Sequence, residues 1–125
     1  DAAEKNPTVV YVGSKKQKAS VTIPDTVTID KVTYKVTSIA ANAFKNNKKL
    51  KKVVIGKNVT KIGKKAFNKC KKLKTVTIKT KKLKTVGGSA FKGIAKKAVI
   101  KLPKAKKAAY KKLLKKKYDK TTKLK

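Results

Sequence analysis

The sequence predicts an α/β repeat protein, a solenoid in which short parallel strands alternate with short helical segments. The main observation is that the chain contains three Phe residues and that an Ala precedes each one: Phe44, Phe67 and Phe91 lie 23 and 24 residues apart. Apolar residues recur at matching places around the three Ala-Phe pairs. A fixed period of this size is typical of repeat proteins, in which each unit buries little by itself and stacking forms the core.

The spacing of apolar residues changes within each unit, and this change separates strand from helix. The segments LKKVVI (50–55) and LKTVTI (73–78) end in the alternation expected of a short strand. Around the Ala-Phe pair, apolar residues such as Phe67 and Cys70 lie three apart, which fits one or two helical turns. Gly63 is interpreted as the point where the chain bends into the helical segment. One strand and one helical segment every 23 residues is the signature of a leucine-rich-repeat solenoid, with about four parallel strands.

The segment VTKIGKKAFNKCKKLKTVTI (59–78) resembles the repeat of the BspA-like leucine-rich-repeat proteins of bacterial cell surfaces. The resemblance covers roughly residues 20–103 and rests on the Ile-Gly, Ala-Phe and Cys elements together. It implies helical segments on the convex side and a concave sheet to which a protein or glycan partner binds. It also implies a secreted protein, or one of the bacterial cell surface. The sequence departs from the pattern where Asn47 and Ile94 occupy the position of Cys70.

Both ends of the solenoid are expected to carry caps, because terminal units must cover an apolar cross-section. The runs TVVYVG (8–13) and ASVTIP (19–24) are predicted to form an N-terminal β-hairpin, and residues 27–36 a second hairpin that turns at Asp30 and Lys31. Apolar residues four apart after Pro103 predict an amphipathic capping helix. The predicted parts are the hairpin cap with the first repeat strand (1–35), the solenoid (36–103), the capping helix (104–118) and a mobile tail (119–125).

The composition argues against catalysis. The chain has no His, its five acidic residues are scattered, and no paired carboxylates, metal-ligand spacing or nucleotide fingerprint occurs. We therefore expect no enzymatic activity, no cofactor and no metal site. Two interpretations of the lone Cys70 are open: a reactive thiol among lysines, or a packed structural residue, which its equivalence to Asn47 and Ile94 favours. The Phe residues are predicted to lie in the core rather than to stack nucleobases.

Alternation along the strands predicts which side chains point away from the core. The resulting concave face is mostly small, β-branched and hydroxylic, and it is the predicted binding face. Its residues are Ser20, Thr22, Lys52, Val54, Thr75, Thr77, Val99 and Lys101.

The net charge of +33 comes from 38 basic residues, all of which are Lys. Without Arg, the chain lacks the planar fork that recognises phosphate or carboxylate in a fixed geometry, and a lysine surface favours loose attraction to polyanions. The lysines occupy turns, helix flanks and the C-terminal helix, which indicates a general coat; a bias toward AT-rich codons is the alternative. The coat is predicted to be densest at Lys111, Lys112, Lys115 and Lys116.

Three functions are consistent with these observations. The first is a monomeric, non-enzymatic surface or adhesion module that binds a protein, an acidic glycan or a cell-wall polymer. The second is a basic nucleic-acid-binding protein, since such a charge makes salt-sensitive binding in vitro almost unavoidable. The third is a spacer that anchors another domain of a larger secreted protein. No apolar run approaches the roughly 18 to 20 residues of a transmembrane helix.

Overall fold

Short strands form two five-stranded sheets in the computed structural model, which describes residues 7–13 and 16–125. Sheet 1 contains β1 (Thr8–Tyr11), β3 (Thr26–Ile29), β4 (Val32–Ile39), β6 (Lys61–Ile62) and β8 (Thr85–Val86). Sheet 2 contains β2 (Ser20–Ile23), β5 (Lys52–Ile55), β7 (Thr75–Ile78), β9 (Val99–Lys101) and β10 (Lys123–Leu124). Every strand pair is parallel except β3 with β4, and the predicted solenoid is confirmed.

The strands of sheet 2 pair without a shift in register. Val53 on β5 pairs with Val21 on β2 and with Val76 on β7, which in turn pairs with Ile100 on β9. All four of these side chains are buried. Because strand side chains alternate between the two faces, this register puts equivalent repeat positions on the same side of the sheet throughout.

The three Phe side chains lie in the core, as predicted, and their rings stack between neighbouring turns. The ring centroids of Phe44 and Phe67 are 5.2 Å apart, as are those of Phe67 and Phe91, and Tyr11 continues the stack 5.7 Å from Phe44. Phe67 and Phe91 are completely buried and Phe44 is 3% exposed. Spacings in this range suit offset aromatic stacking. The repeat of about 23 residues therefore aligns one ring per turn along the solenoid.

The segments around the Ala-Phe pairs are consecutive turns, and the predicted helical segments are absent there. Residues with positive φ interrupt each segment twice, four positions apart: Asn42 and Asn46 in one turn of the solenoid, Lys65 and Lys69 in the next. A left-handed residue cannot continue a right-handed helix. The backbone instead pairs between turns of the solenoid, and the Phe44 N–H donates to the carbonyl oxygen of Ala66 at 2.7 Å.

The N-terminal region contains one of the two predicted hairpins. The antiparallel pair β3 and β4 turns through Asp30 (φ 49°) and Lys31 (φ 66°), as predicted. Two consecutive positive φ angles are typical of the type I′ turn that matches strand twist. The prediction of a hairpin between the first two runs is wrong: β1 pairs with β4 and β2 pairs with β5, so these runs lie in different sheets.

The C-terminal helix is shorter than predicted and is fixed to the solenoid by one tyrosine. A 3₁₀ turn (Lys104–Lys106) leads into α1 (Lys107–Leu114). The Tyr110 hydroxyl donates to the Thr80 carbonyl oxygen at 2.7 Å and accepts from the Leu83 N–H at 3.0 Å. Both bonds are buried, so this side chain satisfies two backbone groups that the end of the solenoid would otherwise leave unpaired.

The segment after the helix belongs to the fold, and the prediction of a tail from residue 119 is wrong. Strand β10 extends sheet 2 by pairing with β9. The backbone of Tyr118 pairs with that of Phe91 in an isolated parallel β-bridge. An Asp119 carboxylate oxygen accepts a hydrogen bond from the Gly93 N–H at 2.8 Å. Sheet 2 thus extends beyond the predicted solenoid of residues 36–103 in both directions, and it has five strands rather than about four.

Candidate functional site

The outer face of sheet 2 brings all eight residues of the predicted binding face together. Two ladders cross the strands, and each ladder joins equivalent positions of successive turns. One consists of Ser20, Lys52, Thr75 and Val99, and the other of Thr22, Val54, Thr77 and Lys101. We refer to these eight residues as the sheet-2 face. Its four central side chains, Val54, Thr75, Thr77 and Val99, are half-buried and the other four are exposed.

The lysines predicted to form the densest coat lie on or just after α1. Lys111, Lys112, Lys115 and Lys116 are all exposed. They lie around the end of the helix, and they line neither of the two lysine-rich clefts described next.

Two clefts lined mainly by lysine lie elsewhere, at the two ends of β5 and β7. The exit cleft follows the strands; it has a volume of about 430 Å³ and is lined by Lys57, Asn58, Lys79, Lys81 and Lys82. The entry cleft precedes them; it has a volume of about 740 Å³ and is lined by Asn46, Lys48, Lys69, Lys71 and Lys72. Each cleft combines lysines from two successive turns of the solenoid. The sequence places these lysines in turns without revealing the clefts, although alignment of the repeats superposes KNNKK (45–49) on NKCKK (68–72).

The carboxylates do not neutralise these lysines. An Asp25 carboxylate oxygen accepts from the Lys57 backbone N–H at 2.7 Å, and Asp119 bonds to the Gly93 backbone N–H. Within residues 7–13 and 16–125 no lysine ammonium forms an ion pair with a carboxylate. The Lys82 ammonium instead donates to the Asn58 side-chain oxygen at 3.4 Å. The lysine ammonium groups of the clefts therefore contact no carboxylate among the described residues, although the Asp25 carboxylate lies beside Lys57 of the exit cleft.

No arrangement suited to metal-ion binding was found in the described part of the chain, where no three His, Cys, Asp or Glu side chains come together. None of the helices described has the length and hydropathy of a membrane span.

The repeat decides the relationship to known proteins. Residues 14–122 match the BspA type leucine-rich-repeat region in six copies. The chain belongs to this family.

Two solved structures have a similar fold. A leucine-rich cell surface protein from Faecalibacterium prausnitzii A2-165 is 28% identical with a TM-score of 0.64, and the match covers 85% of this chain and 31% of that chain. A leucine-rich-repeat protein from Bacteroides capillosus ATCC 29799 is 22% identical with a TM-score of 0.68, covering 94% of this chain and 87% of that chain. This chain therefore spans 31% of the length of the first protein. A comparison with curated proteins gave no match.

Cys70 occupies the Cys position of the BspA-type repeat as a packed residue. Its side chain is completely buried, and the thiol donates to the Phe44 carbonyl oxygen at 2.9 Å. Burial raises the pKa of Cys70 from 9.0 to about 11, although a hydrogen bond from the Asn47 backbone acts in the opposite direction. The thiolate is the nucleophilic form of Cys. The structure thus favours the structural interpretation of Cys70 over the reactive one.

We expect Cys70 to resist a disulfide reagent such as DTNB at pH 8 in the folded chain and to react readily in guanidinium. The same pKa shift predicts the pH dependence of stability: the thiol contribution is complete below pH 9.0, the unfolded-state value, and is lost as the pH rises toward about 11. The absorbance of the released thionitrobenzoate measures the rate of the DTNB reaction in the folded chain and in guanidinium. Equal rates with and without guanidinium would contradict the buried thiol.

Proposed function

We propose that this chain is a non-enzymatic interaction module of a secreted or surface-attached bacterial protein, and that it binds a partner on the sheet-2 face. The observation that carries the proposal is the pair of in-register ladders, which form a continuous surface of hydroxyl, aliphatic and lysine side chains over four strands. The four central side chains of this surface are half-buried and remain accessible to solvent in part. Such a surface offers hydroxyl groups that donate and accept hydrogen bonds beside aliphatic side chains.

The relatives support this location and role. The Faecalibacterium prausnitzii protein is described as a leucine-rich cell surface protein, and 85% of this chain aligns with it. Parallel strands in a solenoid extend a binding surface by one strand per repeat, and repeat proteins use such surfaces for recognition. Adhesion to a protein or glycan at the cell surface is the function that we infer.

A pair of Thr→Glu substitutions tests the proposal. We expect Thr75→Glu/Thr77→Glu to lower the retention of the chain on an array of proteins and neutral and acidic glycans by about tenfold or more, because two charges in the centre of the face must be desolvated on binding. The control is Thr26→Glu/Thr28→Glu on β3, which changes the charge equally at exposed positions of sheet 1. Thermal unfolding of each variant confirms that it is folded.

The outcome separates the alternatives. Equal losses in the two variants would mean that net charge alone governs binding. If the wild-type chain retains no partner at 0.15 M salt, the sheet-2 face has no ligand and the spacer function is favoured.

A further inference from the structure

The entry and exit clefts flank the sheet-2 face, and no function has yet been assigned to them. Four of the five residues that line each cleft are lysines, and no acidic residue lines either one. The fifth residue is Asn46 in the entry cleft and Asn58 in the exit cleft, so each cleft also contains an amide. This composition suits an anionic group that accepts several hydrogen bonds.

The lysines of a cleft are close enough to act together. Neighbouring strands of a sheet lie about 4.8 Å apart, so the two turns that form a cleft are separated by less than the Debye length of about 8 Å at physiological salt. Lys48 and Lys71 come from successive turns, as do Lys57 and Lys79. Since no carboxylate pairs with these ammonium groups among the described residues, the mutual repulsion within each cleft is relieved by binding an anion.

The two clefts lie at opposite ends of the same strands. Lys72 precedes β7 and Lys79 follows it. At a rise of about 3.3 Å per residue, the seven steps between these residues correspond to roughly 23 Å. The surface between the clefts contains the side chains of Val54, Thr75 and Thr77. A linear ligand that follows β5 and β7 from one cleft to the other therefore crosses the sheet-2 face.

The chemistry of this crossing favours a sugar polymer. Thr hydroxyls and the Val54 methyl groups match the hydroxyl and C–H groups of a glycan. Nucleobases bind instead by stacking on exposed aromatic rings, and neither the sheet-2 face nor the clefts contain an aromatic residue. Lysine is a hydrated point charge without fixed geometry, which suits sulfate, phosphate or carboxylate groups along a flexible chain.

We propose that the entry and exit clefts bind a linear anionic glycan that crosses the sheet-2 face along β5 and β7, with acidic groups in both clefts. The inference rests on the proposed function, because it names the class of partner that the sheet-2 face receives. It assigns the binding charge to eight lysines of the clefts rather than to the C-terminal helix.

Three variants that each remove four lysines test the assignment. The exit variant is Lys57→Gln/Lys79→Gln/Lys81→Gln/Lys82→Gln, and the entry variant is Lys48→Gln/Lys69→Asn/Lys71→Gln/Lys72→Gln. The matched control is Lys111→Gln/Lys112→Gln/Lys115→Gln/Lys116→Asn. The entry and control variants each place Asn at a position of positive φ, 61° at Lys69 and 65° at Lys116, which Asn tolerates well.

Binding of a fluorescent dextran sulfate oligomer is measured by anisotropy at 0.15 M salt, and uncharged dextran and single-stranded DNA of equal charge serve as competitors. We expect the affinity of each cleft variant for dextran sulfate to be lower than that of the wild-type chain by at least about tenfold. The affinity of the helix variant is expected to stay within about threefold of the wild-type value. We also expect DNA to compete poorly. Equal weakening in all three variants, or competition by DNA as strong as that by dextran sulfate, would overturn the proposal.

The experiment also separates this inference from the proposed function. If both cleft variants bind dextran sulfate like the wild-type chain while Thr75→Glu/Thr77→Glu loses its partner on the array, the glycan assignment fails and the sheet-2 face remains the binding surface. A different result is that the cleft variants no longer bind dextran sulfate, while Thr75→Glu/Thr77→Glu still binds dextran sulfate and its partner on the array. In that case the clefts bind anions, and the proposal that the glycan crosses the sheet-2 face is wrong.

Discussion

Replacing Phe67 by Ala is expected to lower the free energy of unfolding by about 3–5 kcal/mol. The ring of Phe67 is completely buried and stacks on Phe44 and on Phe91, each at 5.2 Å between centroids. Its removal leaves a cavity between two turns of the solenoid and separates the rings on either side. Because each turn is stabilised by its direct neighbours, a defect in the middle of the stack weakens two interfaces together.

Chemical denaturation followed by circular dichroism measures this loss. Phe67→Leu is the control, since it keeps an apolar side chain at the same position and is expected to cost less than Phe67→Ala. A loss below about 1 kcal/mol for Phe67→Ala would mean that the neighbouring turns collapse into the cavity, contrary to a rigid stack.

Replacing Gly63 by Ala is expected to destabilise the chain by about 1–3 kcal/mol. A Cβ atom at Gly63 would overlap the backbone nitrogen of Ala41 and lie 2.6 Å from the carbonyl carbon of Ala40. Both atoms belong to the backbone of the neighbouring turn, which cannot rotate away as a flexible side chain does. The solenoid must therefore open locally to accommodate the methyl group.

Gly88→Ala is the matched control, because a Cβ atom there meets no atom within 4 Å and the φ angle of Gly88 is not positive. We expect this control to leave the melting temperature unchanged or to raise it, since the Ala side chain restricts the unfolded chain. Differential scanning calorimetry compares the two variants. Equal melting temperatures for Gly63→Ala and Gly88→Ala would show that close approach between turns does not require glycine.

Gly63 shows how an interpretation of the sequence can identify the right residue for the wrong reason. The sequence suggested that Gly63 lets the chain bend into a helical segment. Its φ is not positive in the structure, and its small size is needed because the backbone of the preceding turn lies against it. That contact joins residues about 22 positions apart, so no local pattern could reveal it.

The sheet-2 face could be predicted from the sequence, but the clefts could not, because they also depend on contacts between turns. The eight residues of the sheet-2 face follow from alternation within each strand, a property of period two that local sequence contains. The clefts combine side chains of different turns, and their shape depends on how closely those turns stack. The densest run of lysines in the C-terminal part of the sequence lines neither cleft. It consists of Lys111, Lys112, Lys115 and Lys116.

The sequence by itself determined the repeat, the buried Phe stack, the hairpin at Asp30 and Lys31, and the side of each strand that faces solvent, because these depend on spacing along one chain segment. The tertiary structure decided that turns replace helical segments, that β1 and β2 enter different sheets, and that β10 completes sheet 2. Each of these outcomes depends on backbone hydrogen bonds between segments about 22 to 32 residues apart. Such bonds form wherever a neighbouring turn presents an unpaired N–H or carbonyl group, and the residue types involved carry no record of them.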